Sequence, residues 1–318
     1  KEAWYTNIPK LWKLTDDNDD GRADRREALH HGYGVRVAFR GHDMHGLVLG
    51  PDGRLYFSIG DRGYNVVNQE GERLAAPNSG AVFRCELDGS NLEVFATGLR
   101  NPQELAFDDY GNLFTGDNNC DAGDQARLVY VMEGGDCGWS MNFQYLNDRG
   151  PWMSESWWKP RFDGQPAFLN PPIKNLGAGP SGFTHYPGFG LPEQYADSFF
   201  LVDFRGGAGG SGIWRFTLDP HGAGFEVDEQ EQFWWKILAT DVDFGPDGSL
   251  WASDWVQGWN GAGKGRMYRL DPPSGIDRNA MVANARLLAA EYDQMDGDRL
   301  LELLGHVDRR VRMEAQLE

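Results

Sequence analysis

Cysteine is scarce in this 318-residue chain: Cys85, Cys120 and Cys137 are all there is. No CxxC pair occurs among them, so neither a disulfide framework nor a thiolate zinc site is expected, although one bridge among the three stays open. Positive charge is short as well, with 30 Lys and Arg against 48 Asp and Glu, a net charge of −18. An acidic surface repels phosphate backbones, which argues against nucleic acid as a partner. No apolar run approaches the about 20 residues of a membrane-spanning helix, and no signal peptide is read. The first residue is Lys1 rather than methionine, from which a processed or trimmed N-terminus is expected.

What the chain has in quantity is glycine (42), tryptophan (12) and tyrosine (11). Glycine supplies the positive-φ positions of hairpin turns, and aromatics suit half-buried sheets. The composition therefore reads as all-β with many short strands. Repetition sharpens this. "GLVLGPDGRLYFSIGD" (Gly46 to Asp61) recurs as "ELAFDDYGNLFTGDN" (Glu104 to Asn118) and as "DVDFGPDGSLWASDW" (Asp241 to Trp255). Each copy is an alternating strand, a tight glycine turn and a second alternating strand. A further unit is expected from "SGFTHYPG", "SFFLVDF" (Ser198 to Phe204) and "SGIWRFTLD". A four-stranded unit that repeats and cannot bury its own faces describes a propeller blade. The expected architecture is a six-bladed β-propeller over residues 1–272, lacking one N-terminal blade in this chain. A short α-helical segment follows over residues 273–318, where Leu300, Leu303, Leu304, Val307 and Val311 fall at helical spacing. That segment resembles the start of a HEAT-type repeat, which cannot stand alone, so the chain is expected to continue in a longer protein. The insert Asn142 to Gly164 is the longest departure from the pattern and a candidate for site building.

The stretch Asp16 to Glu27, D-D-N-D-D-G-R-A-D-R-R-E, places Asp16, Asn18, Asp20, Arg22 (through its carbonyl), Asp24 and Glu27 at the positions of a calcium loop, with Gly21 at the sharp turn. The flanks read as strands, which favours Asp24 over Glu27 as ligand. Because every ligand comes from protein, the expected role is structural.

A second constellation begins at "GLRNPQELAFD", where Arg100, Asn101 and Gln103 precede a strand; "GDNNCDAGDQA" and then "RLVYVMEGGDCGWS" follow. Arg-Asn-Pro-Gln, a strand, a polar loop and Gly-Gly-x-x-Gly-Trp in that order resemble the soluble PQQ-dependent glucose and aldose sugar dehydrogenases, six-bladed propellers that hold pyrroloquinoline quinone at the central mouth. "HDMHGLVLGPDGRLYFSIGDRG" resembles the preceding blade of that family. The chain is most similar to the large secreted group of membrane-bound-dehydrogenase-like and L-sorbosone dehydrogenase-like proteins, in which HEAT-type repeats, and often a c-type haem domain, follow the propeller.

The resemblance implies a PQQ- and calcium-dependent oxidoreductase acting on a sugar or related polyol or aldehyde. It makes His42 the base, with His45 as second candidate, since a near-neutral imidazole suits removal of an alcohol proton while hydride departs. It places Arg100 and Asn101 on the quinone oxygens, Asn118 and Arg205 on the cofactor, and the carbonyls of Asn119 and Cys120 on the cofactor's calcium. The chain departs from the family in two respects: Leu238 and Thr240 stand where paired arginines hold the quinone carboxylates, and Gly46 replaces another arginine; Arg266 or Lys264 are the substitutes at hand. The implied partners are a carbohydrate-like substrate and a c-type cytochrome as electron acceptor, and the implied location is secreted or periplasmic. Two other readings are carried: a calcium-dependent, lactonase-like propeller hydrolase using Asn101, Asn118 and Asp254, and a non-catalytic carbohydrate-binding or scaffold propeller. Among single residues, Trp152, Trp157 and Trp158 read as sugar-stacking or as buried caps. Asp121 and Asp124 read as a second calcium site or an Asx-turn network, Asp254 as a turn cap, and His185 and His221 as loop surface.

Overall fold

The structure is a computed structural model that describes the whole chain except residues 36–40, 143–145, 147–149, 161–168 and 262. Part of the insert Asn142 to Gly164 therefore lies outside the described residues. Two compact units are present, Lys1–Ala106 with Asn112–Pro180, and Phe107–Gly111 with Ser181–Glu318.

The first unit starts with β1 (Glu2–Asn7), β2 (Lys10–Thr15) and β3 (Arg25–His31), an antiparallel meander. Next come β4 (Met44–Leu49), β5 (Leu55–Ile59), the hairpin of β6 (Tyr64–Val67) and β7 (Arg73–Ala76), β8 (Gly80–Cys85) and β9 (Glu93–Leu99). Strands β4, β5, β8 and β9 lie side by side. The third meander is β10 (Pro102–Phe107), β11 (Leu113–Asp117) and β12 (Arg127–Tyr130). The short β13 (Gly135–Asp136) closes back in parallel on β9, and the one-turn helix α1 (Pro151–Ser154) follows it. Tyr33 stands edge-on to both Phe57 and Phe83, at 5.5 and 5.4 Å between ring centroids, at the centre of this unit's core.

In the second unit β14 (Pro180–His185), β15 (Phe199–Asp203), β16 (Gly212–His221) and β17 (Gly224–Trp235) form the four-stranded sheet expected from the sequence, and β18 (Ala239–Phe244), β19 (Leu250–Asp254) and β20 (Arg266–Leu270) form a further meander. Phe200 packs edge-on to Phe244 at 5.6 Å and ties the two sheets together. Helices α2 (Arg278–Leu287), α3 (Gly297–Leu303) and α4 (Arg309–Leu317) complete the unit. Each begins at an aspartate, Asp277, Asp296 or Asp308, whose side chain accepts a hydrogen bond from a first-turn backbone amide.

The turn glycines behave as the repeat requires. Gly53, Gly111 and Gly248 have φ of 76°, 82° and 81°, a region that side chains rarely adopt. The alternation expected of the second strand holds in β19 but not in β5 or β11, where every residue is buried, as in β15 of the four-stranded sheet. These are inner strands covered on both faces, so polar positions such as Ser58 and Thr115 are satisfied internally, each hydroxyl donating to a backbone carbonyl (Pro102 and Glu104). His185 is another difference. Read as loop surface, it lies inside β14, 4 % exposed and edge-on to Phe199. No helix of the described residues is long and apolar enough to cross a membrane.

Candidate active site

The first unit holds His42, Arg100, Asn101 and Cys120 through contacts centred on three aspartates, Asp61, Asp117 and Asp124. His42 precedes β4, and its Nδ1 lies 2.9 Å from Oδ1 of Asp61, which follows β5 and is 2 % exposed. Asp61 Oδ2 accepts from the indole of Trp139 at 3.1 Å, while Arg62 donates to Oδ1 at 3.1 Å. The backbone amide of Asp61 in turn donates to the carbonyl of Arg100 at 2.7 Å, so the loop bearing the imidazole and the loop bearing Arg-Asn-Pro-Gln are joined at one residue.

That second loop hangs on Asp117, the last residue of β11. Its Oδ1 accepts from the backbone amides of Arg100 and Asn101 at 2.9 and 2.7 Å. Its Oδ2 is paired with Arg127, which is 1 % exposed, donates to the Cys137 carbonyl at 2.7 Å, and lies 4.3 Å over the Trp152 ring. Trp152 donates from its indole to Asp124, whose carboxylate also accepts the Cys120 amide. The polar loop Asn118 to Asp124 is therefore tied back on itself by the Asp124 carboxylate and pinned to a buried tryptophan, and Trp152 is a structural cap. Trp157 donates to Glu155.

Gly60 fixes the distance between the two loops. A Cβ there would come within 2.9 Å of the His42 Cα and 3.0 Å of the Asn101 amide oxygen. That oxygen is buried and has no hydrogen-bond partner among the described residues, and the same holds for the side-chain oxygen of Asn119. Buried, unpaired polar oxygens are uncommon and suit a bound donor or cation. The Arg100 guanidinium has a distant acidic neighbour, Asp121 at 3.9 Å. His45 sits further along β4 with Nε2 3.0 Å from the Gly41 carbonyl. Burial lowers its pKa below the ordinary histidine value, against the upward pull of that bond. Gln103 donates to the same carbonyl at 3.4 Å, and the Asn118 amide donates to the Asn101 carbonyl.

Other predicted residues stand apart from this cluster. Asp16 to Glu27 spans the β2–β3 hairpin, so the strand-loop-strand setting is as expected, with Glu27 on β3 and Asp24 in the loop. Asp16 accepts from the amides of Asn18, Asp20 and Gly21, Asn18 from Asp20, Asp20 from Arg22, and Asp24 from Asp17. Among the described residues no group of three or more His, Cys, Asp or Glu stands in a metal-holding arrangement. Arg205 belongs to the second unit, where its guanidinium forks onto Asp203 at 2.6 and 3.0 Å. Leu238 is fully buried and the Thr240 hydroxyl is paired with Ser253, so neither offers a cation. Asp254 accepts the amides of Leu238 and Val256, a turn cap.

Sequence reasoning missed Asp61, Asp117 and Trp139 as site residues. The signal was present: "SIGD", "FTGD", "FLVD" and "WASD" each place an aspartate at the end of an inner strand or just past it, and all four, Asp61, Asp117, Asp203 and Asp254, are at most 5 % exposed.

Known proteins share this fold. The PQQ-bound aldose sugar dehydrogenase of Streptomyces coelicolor superposes with a TM-score of 0.54 at 19 % identity, over 85 % of this chain and 74 % of that one. The soluble aldose sugar dehydrogenase of Escherichia coli, in its apo form, gives 0.55 at 14 %, over 83 % and 73 %. Quinoprotein glucose dehydrogenase B of Acinetobacter calcoaceticus is 30 % identical over 139 residues, 34 % of this chain, and the match spans only 28 % of that protein's length. Residues 3–259 match the family model described as "Domain of unknown function (DUF7133)", and the chain belongs to that family.

Proposed function

We propose that the chain is an enzyme, a PQQ-dependent oxidoreductase that oxidises a sugar or a related polyol or aldehyde. Its sheets would be the blades of a six-bladed propeller. The observation that carries this reading is the junction of His42–Asp61 with Arg100–Asn101 through one backbone hydrogen bond. The named relatives, quinoprotein and aldose sugar dehydrogenases, support it.

The residues at this junction fit the quinone end of the cofactor: the buried Asn101 amide oxygen, unpartnered among the described residues, the space that Gly60 leaves, and the Arg100 cation. Leu238 and Thr240 do not supply the carboxylate-holding pair found in the resembling family, so that end must be held by other groups. When bound, the cofactor would supply a two-electron acceptor for hydride from the substrate carbon. Asp61 holds Nδ1 of His42, which leaves Nε2 to remove the hydroxyl proton. Arg100 would offset negative charge on a bound quinone, and the buried Trp139 keeps water from Asp61. The carbonyls of Asn119 and Cys120 would hold the cofactor's calcium, and Asp16 to Asp24 a structural calcium. A secreted or periplasmic location and a cytochrome acceptor belong to the same proposal. The deciding experiment loads the protein with PQQ and calcium and measures dye reduction across a sugar panel. Absence of quinone binding at micromolar concentration would sink the reading.

A second reading rests on the two unpartnered Asn oxygens, which also suit a catalytic calcium acting as Lewis acid in lactone hydrolysis. It predicts turnover with calcium alone.

A further inference from the structure

Two residues of the first unit, His45 and Gln103, meet at one backbone carbonyl that the dehydrogenase reading does not use. Strand β4 is irregular at His45: its register against β5 shifts between His45 and Val48, and Gly46 inside that bulge takes φ +66°. A bulge re-aims the side chain beside it. Here the His45 imidazole reaches back to Gly41, with Nε2 3.0 Å from the carbonyl oxygen.

A carbonyl only accepts, so Nε2 must carry a proton. The imidazole is half-buried, and burial holds its pKa below the ordinary histidine value, which favours the neutral ring. His45, a second candidate base by its place in the sequence, therefore has Nε2 committed as a donor. His42 differs: its Nδ1 is held by Asp61, and no hydrogen bond reaches its Nε2 among the described residues.

The same carbonyl takes a second donor from another strand. Gln103, the second residue of β10, donates to it from its side-chain amide at 3.4 Å. The approach is close. A Cβ on Gly41, whose φ is +90°, would stand 2.7 Å from that amide nitrogen, and one on Gly46 would stand 2.9 Å from Leu105 Cγ. Two glycines thus let β10 close on the turn that precedes His42.

The Arg-Asn-Pro-Gln segment consequently grips the histidine from two sides. The Arg100 carbonyl accepts the Asp61 amide at 2.7 Å, and Asp61 holds the ring; Gln103 holds the carbonyl just ahead of the His42 backbone. Pro102, with φ fixed by its own ring, stiffens the link between the two grips.

We propose that His45 and Gln103 are positioning residues that clasp the Gly41 carbonyl and thereby aim the His42 ring, with Gln103 tying the base to the loop of Arg100 and Asn101. Neither acts as a base or as a cofactor ligand. The catalytic consequence rests on the dehydrogenase reading, whereas the clasp is a property of the unloaded protein.

Gln103→Met and His45→Leu each remove one donor, His45→Gln keeps one, and melting curves report that the variants fold. In the unloaded protein, carbethoxylation of His42 by diethyl pyrocarbonate, located by peptide mass spectrometry, should quicken severalfold in Gln103→Met and in His45→Leu. In the protein loaded with PQQ and calcium, the same two variants should lose up to about 10²-fold in kcat, the cost of a misplaced group. KM and quinone affinity should stay within about twofold of wild type, because no binding contact is removed. His45→Gln should recover most of both effects. Quinone affinity about tenfold weaker in Gln103→Met would make Gln103 a cofactor ligand, and His45→Gln as inactive as His45→Leu would make His45 a reacting base. Either result overturns the proposal, as does unchanged His42 carbethoxylation in both donor-deleting variants. If the wild type binds no quinone, the dehydrogenase reading fails, and the carbethoxylation comparison alone decides the clasp.

Discussion

His42 Nδ1 and Asp61 Oδ1 stand 2.9 Å apart, with Asp61 buried and braced by the Trp139 indole. The carboxylate therefore sets the tautomer and aim of the ring. Asp61→Asn should leave quinone affinity intact while kcat falls by about 10²- to 10⁴-fold, the usual worth of a positioned base. Steady-state kinetics on the PQQ-loaded protein, beside quinone titration, makes the comparison. Wild-type turnover in this variant would remove Asp61 from the mechanism.

Asp117 and Arg127 are almost completely buried, 0 % and 1 % exposed, and oppositely charged. Removing only the cation strands a carboxylate in the interior, which costs about 3–5 kcal/mol. Arg127→Met is thus expected to be far less stable than the double variant Arg127→Met/Asp117→Leu relative to its charge burden. Urea denaturation of both settles the matter; a single-variant loss below about 1 kcal/mol would contradict the burial argument.

In the β2–β3 loop, Asp16 binds three backbone amides and Asp20 only one. If the loop takes calcium, the ion should raise the melting temperature of the wild type, with about 2.7 kcal/mol gained at a hundredfold excess over Kd. Asp20→Ala should erase most of that rise yet change little in chelator, whereas Asp16→Ala should lower the melting point in both. Equal effects of Asp20→Ala with and without calcium would argue for a plain acidic turn.

His185 supplies a pH dependence. Burial, reinforced by Arg309 with its Nη1 3.1 Å from Nδ1, holds its pKa well below 6.5. The folded protein keeps the ring neutral, whereas the unfolded chain binds a proton once the pH drops through about 6.5. Stability from this residue is therefore complete above that pH and declines below it, by at most about 1.4 kcal/mol per pH unit. His185→Gln should flatten the dependence of unfolding free energy between pH 7 and 5. An unchanged slope would mean that other groups dominate.

The fold was legible where local chemistry dictates it. Turn glycines at 53, 111 and 248 marked the hairpins, and the unit built on Ser198 to Phe204 was found by pattern alone. The Arg-Asn-Pro-Gln loop stood out as a candidate because the polar loop and Gly-Gly-x-x-Gly-Trp follow it in order. Asp61 and Trp139 were not, because they meet across 78 positions, and such a pairing is set by sheet stacking, not by spacing. His185 misled for a related reason: Thr-His-Tyr-Pro-Gly reads as a turn, but β14 runs through the histidine before the chain bends. Likewise the inner strands looked alternating because Ser58 and Thr115 are polar, although each hydroxyl has a carbonyl waiting inside.

The aspartate at or just past the end of each inner strand performs a different task in each sheet. Asp61 holds an imidazole, Asp117 two backbone amides, Asp203 a guanidinium, and Asp254 the amides of a turn. One buried acid thus acts as a socket into which different partners plug. New reactivity at this address needs only a change in the short loop that faces the socket, with the strand and its core left as they are. The sheet and the chemistry can therefore vary separately, which is a route by which one scaffold comes to carry both a reacting group and a purely structural clasp.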